Sequence, residues 1–379
     1  MIPGSVVRLG EIVQIRAPLI LPDVTCDADL PCFGPEAVEP CTGAVFYRTT
    51  VQESQPRSVK FRYSRGDVIY SKIRPYLAKA MLAFDEGYIS ADMYPLSCGR
   101  EILPNYLLYE LLSERFTEYA IAHSTRAQMP KLNREALFAY RMRLPPLAEQ
   151  RRIVDLLERA AGIRRLREQA LAKARTIVPA LFLDMFGDPA TNPKGWPVTD
   201  LGSTVAIRAS LQIPNLVSEA LIPCFGPEAI ESRTGRVLNR TTVSEAIPRS
   251  GKYRYASGDV IYSKIRPYLA KAMIATDSGY ISADMYPLTC KSIICPYFLL
   301  ETLLSSAFTK FATTGSTRAQ MPKLNRETLF AYCFPLPPIS LQESFAAEAN
   351  NLRSIVTQQE HSLATALKLE RSLMAQLLG

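Results

Sequence analysis

The sequence predicts a mixed α/β fold of the α+β kind, with two tandem domains and two long helices that form an antiparallel coiled coil with pseudo-twofold symmetry. Three observations predict it: an internal duplication, short β-branched runs separated by Pro and Gly in each copy, and a Leu- and Ala-rich segment closing each copy. The stretch Gly66 to Leu96 returns 192 residues later, at Gly258 to Leu288, with three changes. Such a repeat indicates two copies of one domain.

The duplication extends over the whole chain without a gap. Residues 1–187 and 193–379 are copies of equal length, joined by residues 188–192. Each copy is long enough for a globular domain with its own core and an appendage. We therefore expect four parts: a first domain at residues 1–147, a central spacer helix at 148–187, a second domain at 188–339 and a C-terminal spacer helix at 340–379.

The globular part of each copy begins with strands. The region from Val6 to about Phe61 predicts short strands and loops. Val68 to Tyr70 predicts a buried strand and Ala80 to Phe84 a second one. The loop Ser71 to Tyr76 lies between them, and Pro75 disfavours helical geometry at the residue before it, so we expect this loop to be presented at the surface.

Helical patterns follow the strands. Pro104 to Ala122 has apolar residues at helical spacing and predicts one packed amphipathic helix. Glu149 to Phe186 is nearly free of Gly and Pro and predicts a long helix, which Pro179 is expected to kink or shorten. The second copy ends with the same rhythm. We expect the two apolar stripes to pack against each other; the alternative is that each helix folds onto its own domain.

Composition restricts the class of protein. The net charge is +8, with 25 Lys and Arg against 21 Asp and Glu in residues 1–187 and 19 against 15 in the rest, which suits a polyanionic partner. Eight cysteines without any C-x-x-C spacing favour reduced structural thiols over a disulfide framework or a metal site. No long apolar run or signal peptide is present, so we expect a cytoplasmic protein without membrane contact.

Four motifs carry a family resemblance. They are GDVIYSKIRPYL at Gly66, the domain end LPPLAEQRRIV at Leu144, the helix end LFLDMFGDP at Leu181 and the opening NPKGW at Asn192. In this order and twice over, they resemble the specificity subunits of Type I restriction-modification systems. The first copy departs from the pattern because it lacks a tryptophan matching Trp196.

The resemblance implies a function and partners. Members of that family have two target-recognition domains separated by helices and are bound by two methyltransferase subunits. The chain is accordingly expected to be a non-catalytic subunit that recognises double-stranded DNA. Its expected protein partners are two methyltransferase (M) subunits and, in addition, restriction (R) subunits. No cofactor and no metal are implied.

Two polar stretches in each copy offer groups that read DNA. Base edges need hydrogen-bonding side chains and phosphates need cations. The loop from Ser71 to Lys79 and the string from Ser124 to Glu135, which recurs unchanged at Ser316 to Glu327, supply both. The candidate DNA-binding residues are Ser71, Lys72, Arg74, Tyr76, Lys79, Arg126, Gln128, Lys131, Ser263, Lys264, Arg266, Tyr268, Lys271, Arg318, Gln320 and Lys323.

Structural roles remain open for these side chains. In the alternative to DNA binding, Lys72 and Arg74 are solvated or paired with Asp67 and Asp92. Gln128 and Asn133 then cap turns and the helix that follows. Tyr76 and Tyr88 are expected in the core rather than stacked on bases.

The near-identity of the loops predicts a near-palindromic target. A pseudo-twofold reader prefers an inverted repeat, and roughly 35 helical residues span about 50 Å, more than one DNA turn of about 34 Å, so we expect a gapped, bipartite target. Between Glu39 and Gly66 the copies diverge: Pro40-Cys41 corresponds to Ser232-Arg233. That divergence would tune the two half-sites differently.

Two rival functions are a catalytic nuclease or methyltransferase and a coiled-coil scaffold without DNA reading. No lysine has the [DE]-x-K spacing of many nucleases, and no N-P-P-Y-like or glycine-rich cofactor loop is present. His123 and His361 correspond to Gly315 and Gln169, so neither belongs to a duplicated active site. The basic loops argue against a scaffold only weakly.

Overall fold

The computed structural model describes residues 4–16, 18–125, 128–208, 211–316 and 322–378. The chain divides into two compact units. The first unit runs to Glu168 and resumes at Ser362, and the second unit is Gln169–His361. Within the described ranges, no helix is both long and apolar enough to cross a membrane.

The first repeat combines short strands with helices. It also contains two 3-10 turns, Pro35–Ala37 and Pro75–Leu77. Its elements are β1 Ser5–Arg8, α1 Leu9–Ile12, β2 Val13–Ile15, β3 Leu19–Ile20, β4 Cys32–Phe33, α2 Val51–Ser54, β5 Lys60–Tyr63, β6 Val68–Ser71, β7 Ala80–Leu82, β8 Gly87–Ser90, β9 Met93–Cys98, α3 Pro104–Leu112, α4 Glu114–Ala122, α5 Arg134–Ala139, β10 Arg141–Leu144 and α6 Leu147–Phe186.

The second repeat has the same order of elements. Its 3-10 turns are Pro227–Ala229 and Pro267–Leu269. Its elements are β11 Val198–Asp200, α7 Leu201–Thr204, β12 Val205–Ile207, β13 Leu211–Gln212, β14 Cys224–Phe225, α8 Val243–Ala246, β15 Lys252–Tyr255, β16 Val260–Ser263, β17 Ala272–Ile274, β18 Gly279–Ser282, β19 Met285–Cys290, α9 Pro296–Leu304, α10 Ser306–Thr314, α11 Arg326–Phe330, β20 Cys333–Pro335 and α12 Ile339–Leu378.

Each repeat contains two four-stranded sheets and a two-stranded ribbon. The first repeat has the orders β2-β9-β6-β7 and β3-β5-β8-β4, with β1 paired to β10, and the second repeat has the equivalent orders. Only the β4–β8 pair and its counterpart β14–β18 are parallel among the described strand pairs.

The position of β6 between two core clusters explains why its sequence is apolar. Val68 and Tyr70 face the larger core cluster of the first unit, whereas Ile69 faces a second cluster with Met81 and Met93. A strand covered on both faces needs a continuous apolar run instead of an alternating one. The predicted buried strand at Val68 to Tyr70 is confirmed.

Each long helix is anchored to its domain by a buried glutamine. Gln150 is fully buried; its Oε1 accepts from the Leu103 backbone N–H at 2.8 Å, and its Nε2 donates to the carbonyls of Glu101 and Pro145. Gln342 forms the equivalent bonds in the second repeat. The amide thus pairs with backbone groups of the loop between β9 and α3, which explains why a glutamine is found near the start of both helices.

The long helices pair with each other inside each unit. In the first unit, Leu377 and Leu378 of α12 join the core cluster that contains Ile153 and Leu157 of α6. Arg164, further along α6, binds Glu370, which precedes those leucines in α12, with Nε 2.8 Å from Oε2. The two segments therefore run antiparallel, as predicted.

The second unit contains the other ends of the two helices. Phe182 and Phe186 of α6 lie 5.7 and 5.3 Å from Phe345 of α12, measured between ring centroids. Arg175, earlier in α6, donates to Glu360, later in α12, at 2.9 Å. The direction is again antiparallel, so a helix end from the other repeat covers the core of each domain. The alternative in which each helix folds only onto its own domain is wrong.

One prediction about helices is corrected, and one of the two effects expected of Pro179 is absent. The single helix expected from Pro104 to Ala122 is divided into α3 and α4 at Ser113, which is extended (ψ 151°) and whose Oγ accepts from the Phe116 backbone N–H at 3.1 Å. A hydroxyl in that position starts a new helix. Pro179 does not shorten α6, which continues as one helix to Phe186.

Candidate nucleic-acid interface

The loop after β6 is closed at its base by backbone hydrogen bonds. The Ser71 N–H donates to the Lys79 carbonyl at 2.9 Å. The Ser71 side chain is only 1% exposed, and its Oγ donates to the Ile73 carbonyl at 3.2 Å. Ser263 repeats these contacts with Lys271 and Ile265. Both serines therefore shape the loop from inside.

The tip of the loop is held in an uncommon backbone conformation. Arg74 and Ala78 flank the 3-10 turn Pro75–Leu77 with left-handed φ values of 49° and 42°. Arg266 and Ala270 have 47° and 45°. Left-handed geometry is costly for residues with a Cβ and is often found where a site must present particular groups.

The two polar stretches predicted separately lie side by side. The Arg74 N–H donates to the Pro130 carbonyl at 2.9 Å, and the Leu132 N–H donates to the Lys72 carbonyl at 2.8 Å. Between them Ile73 and Lys131 form an antiparallel β-bridge. The second repeat has the same three contacts. The loop and the string thus form one surface in each repeat, which we call the basic face.

An arginine and a tyrosine of the basic face are exposed in both repeats. Arg74 and Arg266 are exposed, and neither guanidinium forms a hydrogen bond or ion pair with any residue that the structure describes. Tyr76 is 53% exposed and Tyr268 is 45% exposed. The expectation that Tyr76 belongs to the core is therefore wrong, because the 3-10 turn directs it outward.

Tyr88 is in the core, as predicted. It is 1% exposed, and its hydroxyl donates to Asp27 Oδ2 at 2.7 Å. Burial raises the pKa of Tyr88 to about 12, and the hydrogen bond to the Asp27 carboxylate adds to this rise. The phenol therefore serves the fold, since it is neutral and already bonded.

The lysines of the basic face are held by neighbours. Lys72 Nζ lies 5.2 Å from the centroid of the Tyr94 ring, a cation–π contact that recurs between Lys264 and Tyr286 at 5.0 Å. Burial lowers the pKa of Lys72 from its ordinary value; the Asp92 carboxylate opposes this shift and the Lys131 ammonium reinforces it.

The carboxylates predicted as alternative partners of Lys72 and Arg74 bind other cations. Asp67, which is 2% exposed, binds Arg16 with Nε 2.8 Å from Oδ2. Asp92 binds Lys131 at 3.2 Å, and Asp284 binds Lys323 at 3.1 Å. Among the described residues neither carboxylate forms a salt bridge with Lys72 or Arg74, although the Asp92 charge still acts on Lys72.

Lys79 has a bonding role in the loop. Its Nζ donates to the Pro35 carbonyl at 2.7 Å, and Lys271 donates to the Pro227 carbonyl at 2.8 Å. The ammonium thereby ties the basic face to the neighbouring 3-10 turn. Lys79 remains partly exposed, so the same charge also contributes to the local potential.

The string contributes exposed amide side chains. Gln128 is exposed. Asn133 accepts from the Ala136 backbone N–H at 2.8 Å and caps α5, which confirms the structural role considered for it. Arg126, Arg318 and Gln320 lie outside the described residues. Among the residues that are described, no group of three or more His, Cys, Asp or Glu could hold a metal ion.

Sequence comparison identifies relatives. Residues 4–173 match the family model described as "Type I restriction modification DNA specificity domain". The "Type I restriction enzyme EcoDI specificity subunit" of Escherichia coli is 35% identical over 182 residues, which cover 47% of this chain and 39% of that protein. The match thus spans about two fifths of the curated relative's length.

Structural comparison covers the whole chain. A chain from work on complex assembly and conformational transition of the type I R-M system has a TM-score of 0.62 at 20% identity, covering 100% of this chain and 98% of the other. The Type-I restriction-modification system S subunit from M. genitalium has a TM-score of 0.56 at 13% identity, with coverages of 100% and 96%. These identities show a shared fold alone. The family-model match over residues 4–173 and the 35% identity to the EcoDI subunit confirm the resemblance that the motifs predict: this chain is related to the specificity subunits of Type I restriction-modification systems.

Proposed function

We propose that this chain is a sequence-specific recognition subunit for double-stranded DNA, which directs methyltransferase subunits to a bipartite, gapped and near-palindromic target. The observation that supports this most strongly is the duplication of the basic face. The same exposed arginine and tyrosine, with the same lysines beside them, recur in the same backbone geometry in both repeats.

The chemistry of the basic face suits base reading. A guanidinium without a partner among the described residues, such as that of Arg74, offers two parallel donors that match the O6 and N7 acceptors of guanine in the major groove. Gln128 matches the N6 and N7 groups of adenine in the same way. Lys72 and Lys131 add positive charge that phosphates would neutralise. The face therefore combines groups that read sequence with groups that fix position.

The proposed target is gapped because two readers are separated by long helices. α6 and α12 each contain 40 residues. At 1.5 Å per residue such a helix is about 60 Å long, which exceeds one DNA turn of about 34 Å. In the arrangement predicted from the sequence, two identical loops would read two inverted half-sites with unread base pairs between them.

The proposed partners would bind along the helices. Apolar side chains remain exposed on α6, including Ile163 and Leu166 in the first unit and Ile177 and Leu183 in the second. We propose that methyltransferase subunits cover this surface and that restriction subunits join the same complex. The division at residues 147, 187 and 339, the absence of catalysis by this chain and the cytoplasmic location are parts of the same proposal.

A binding selection from random duplexes tests the function. The purified chain, alone and with a co-expressed methyltransferase, should enrich two short half-sites separated by a fixed number of unspecified base pairs. Enrichment of no motif, or of a single ungapped motif, would contradict the proposal. Cleavage or methylation of DNA by the chain alone would favour the enzyme alternative, and a chain that assembles without enriching DNA would favour the scaffold.

A further inference from the structure

A hairpin next to the basic face carries a difference between the repeats. In the first repeat it is closed by a bridge between Val38 and Val45 and by the Glu39 N–H, which donates to the Ala44 carbonyl at 2.9 Å. The second repeat closes it in the same way, between Ile230 and Val237. We call this segment, residues 38–45 and 230–237, the variable hairpin.

The variable hairpin docks on the basic face through one residue. The Cys41 N–H donates to the Ala78 carbonyl at 3.1 Å, and the Arg233 N–H donates to the Ala270 carbonyl at 3.0 Å. Ala78 ends the 3-10 turn that begins one residue after Arg74. Cys41 and Arg233 have left-handed φ values of 62° and 65°, and both are exposed. The same backbone therefore presents a thiol in one repeat and a guanidinium in the other.

The loop that receives the hairpin is identical in the two repeats. Ser71 to Lys79 and Ser263 to Lys271 have the same nine residues, so this loop cannot distinguish two half-sites. In the second repeat the Arg233 Nη2 lies 3.4 Å from the Tyr268 carbonyl, a long hydrogen bond at an exposed position. The second basic face thus has one more charge and one more fork of N–H donors than the first.

The other added arginine of the hairpin is already engaged. Arg236, which corresponds to Ala44, binds Glu360 of α12 and lies 3.6 Å from Glu231. Arg175 of α6 binds Glu360 as well, at 2.9 Å. Arg236 therefore fastens the hairpin to the helices through its Nη1, and its charge is balanced by carboxylates.

We propose that Arg233 determines specificity: it reads a guanine in the half-site of the second domain, where the first domain, with Cys41, reads no base. This inference rests on the proposed function. Arginine is suited to the role because it pairs bidentately with guanine. The two half-sites of the target then differ at one position, where the half-site of the second domain requires a guanine and that of the first domain does not.

Reciprocal exchange tests this assignment. Cys41→Arg and Arg233→Cys each introduce the residue that the other repeat already holds at the same left-handed position, so the backbone is expected to be retained. Binding selections compare both variants with the wild-type chain. We expect Arg233→Cys to lose the guanine preference at one position of one half-site by roughly 10- to 100-fold, and Cys41→Arg to create it in the other half-site.

A conservative variant separates base reading from charge. Arg233→Lys keeps the positive charge but replaces the planar fork with a single ammonium, so it should weaken the guanine preference while its affinity for random DNA stays near the wild-type value. A uniform fall in affinity with unchanged base preferences in all variants would mean a phosphate contact and would overturn the assignment.

The outcomes also separate this inference from the proposed function. A wild-type selection without a gapped motif overturns both. A gapped wild-type motif that neither Arg233→Cys nor Cys41→Arg alters overturns only the role of Arg233. Thermal unfolding of the variants, expected to match the wild-type chain, verifies that a changed motif reflects contacts with DNA.

Discussion

The basic faces of the two repeats share their contacts, whereas the buried carboxylates of the two domains do not. In the first repeat Glu110 of α3 is fully buried and binds Arg115 and the Tyr140 hydroxyl. In the second repeat Thr302 takes its place, and the neighbouring Glu301 is buried instead, with Arg353 of α12 at 2.6 Å.

The covering of the two cores differs in the same way. Phe182, Phe186 and Phe345 form an aromatic cluster on the second domain. At the equivalent positions around the core of the first domain stand Ile153 of α6 and Met374 and Leu378 of α12, which are aliphatic. One backbone therefore accepts different core side chains, provided that the core is filled and each buried charge has a partner. The exposed loop of the basic face, in contrast, has the same residues in both repeats.

The largest effect is expected from a substitution in the aromatic cluster, which tests whether the stability of the second unit depends more on its helices than that of the first. Phe345→Ala should lower the free energy of unfolding by about 3–5 kcal/mol, because it removes a fully buried ring and leaves a cavity. Ile153→Ala, its counterpart, should cost less, about 2 kcal/mol. Urea titrations measure both values, with Phe345→Leu as a control that stays apolar and keeps most of the buried volume. A larger loss for Ile153→Ala would reverse the comparison.

A second expected effect concerns the buried ion pair of the second repeat. Arg353→Met leaves Glu301, which is 6% exposed, without its partner and should cost about 3 kcal/mol, the low end for a broken buried pair. The control Arg115→Met, in the first repeat, leaves Glu110 with the Tyr140 hydroxyl and should cost less. Thermal unfolding of both variants compares the two repeats.

The pH dependence of Arg353→Met follows from the carboxyl group. Burial raises the pKa of Glu301, and the Arg353 charge opposes that rise. A raised pKa in the folded state means that folding favours the protonated carboxyl. The contribution of Glu301 to the stability of the fold is therefore present at low pH and is lost as pH rises through the folded-state pKa. Without Arg353 this loss is larger. The difference from the wild-type chain should therefore be greater at about pH 8 than at about pH 5; an equal difference at both would mean that Glu301 does not titrate with folding.

The smallest expected effect tests the equivalence of the two basic faces. Arg74→Ala and Arg266→Ala should each weaken binding to the selected duplex by about 1–3 kcal/mol, and by the same amount, because the two loops have the same backbone contacts. Fluorescence anisotropy at physiological salt measures both. Arg57→Ala and Arg249→Ala, at exposed positions outside the loops, are matched controls for charge. Unchanged affinity for the loop variants would make these arginines structural.

Local patterns explain what the sequence predicted. The strand at Val68, the loop that Pro75 shapes and the long helices depend on residues within a few positions, so their composition and spacing reveal them. The duplication predicted one long-range feature, the pairing of the two helices, because two copies of one domain each leave the same apolar helix face to be covered. The positions of the candidate loops on the chain were therefore accessible without coordinates.

Tertiary contacts explain what the sequence did not predict. The bridge between Ile73 and Lys131 joins segments that are far apart in the chain, so no local pattern predicts that they form one face. The outward direction of Tyr76 depends on the left-handed residues around it. The break at Ser113 was hidden in an apolar pattern that continues on both sides, because α3 and α4 both face the same core.

The exchange of helix ends also sets an order of folding. The second unit is one continuous segment, Gln169–His361, whereas the first unit needs residues beyond Ser362. Leu377 and Leu378, 9% and 2% exposed, join a cluster that begins with Leu9. Such distant contacts carry a large loop-closure cost and form late. During synthesis, therefore, the domain made first is completed last, and its apolar surface stays uncovered until the final turns of α12 have been made.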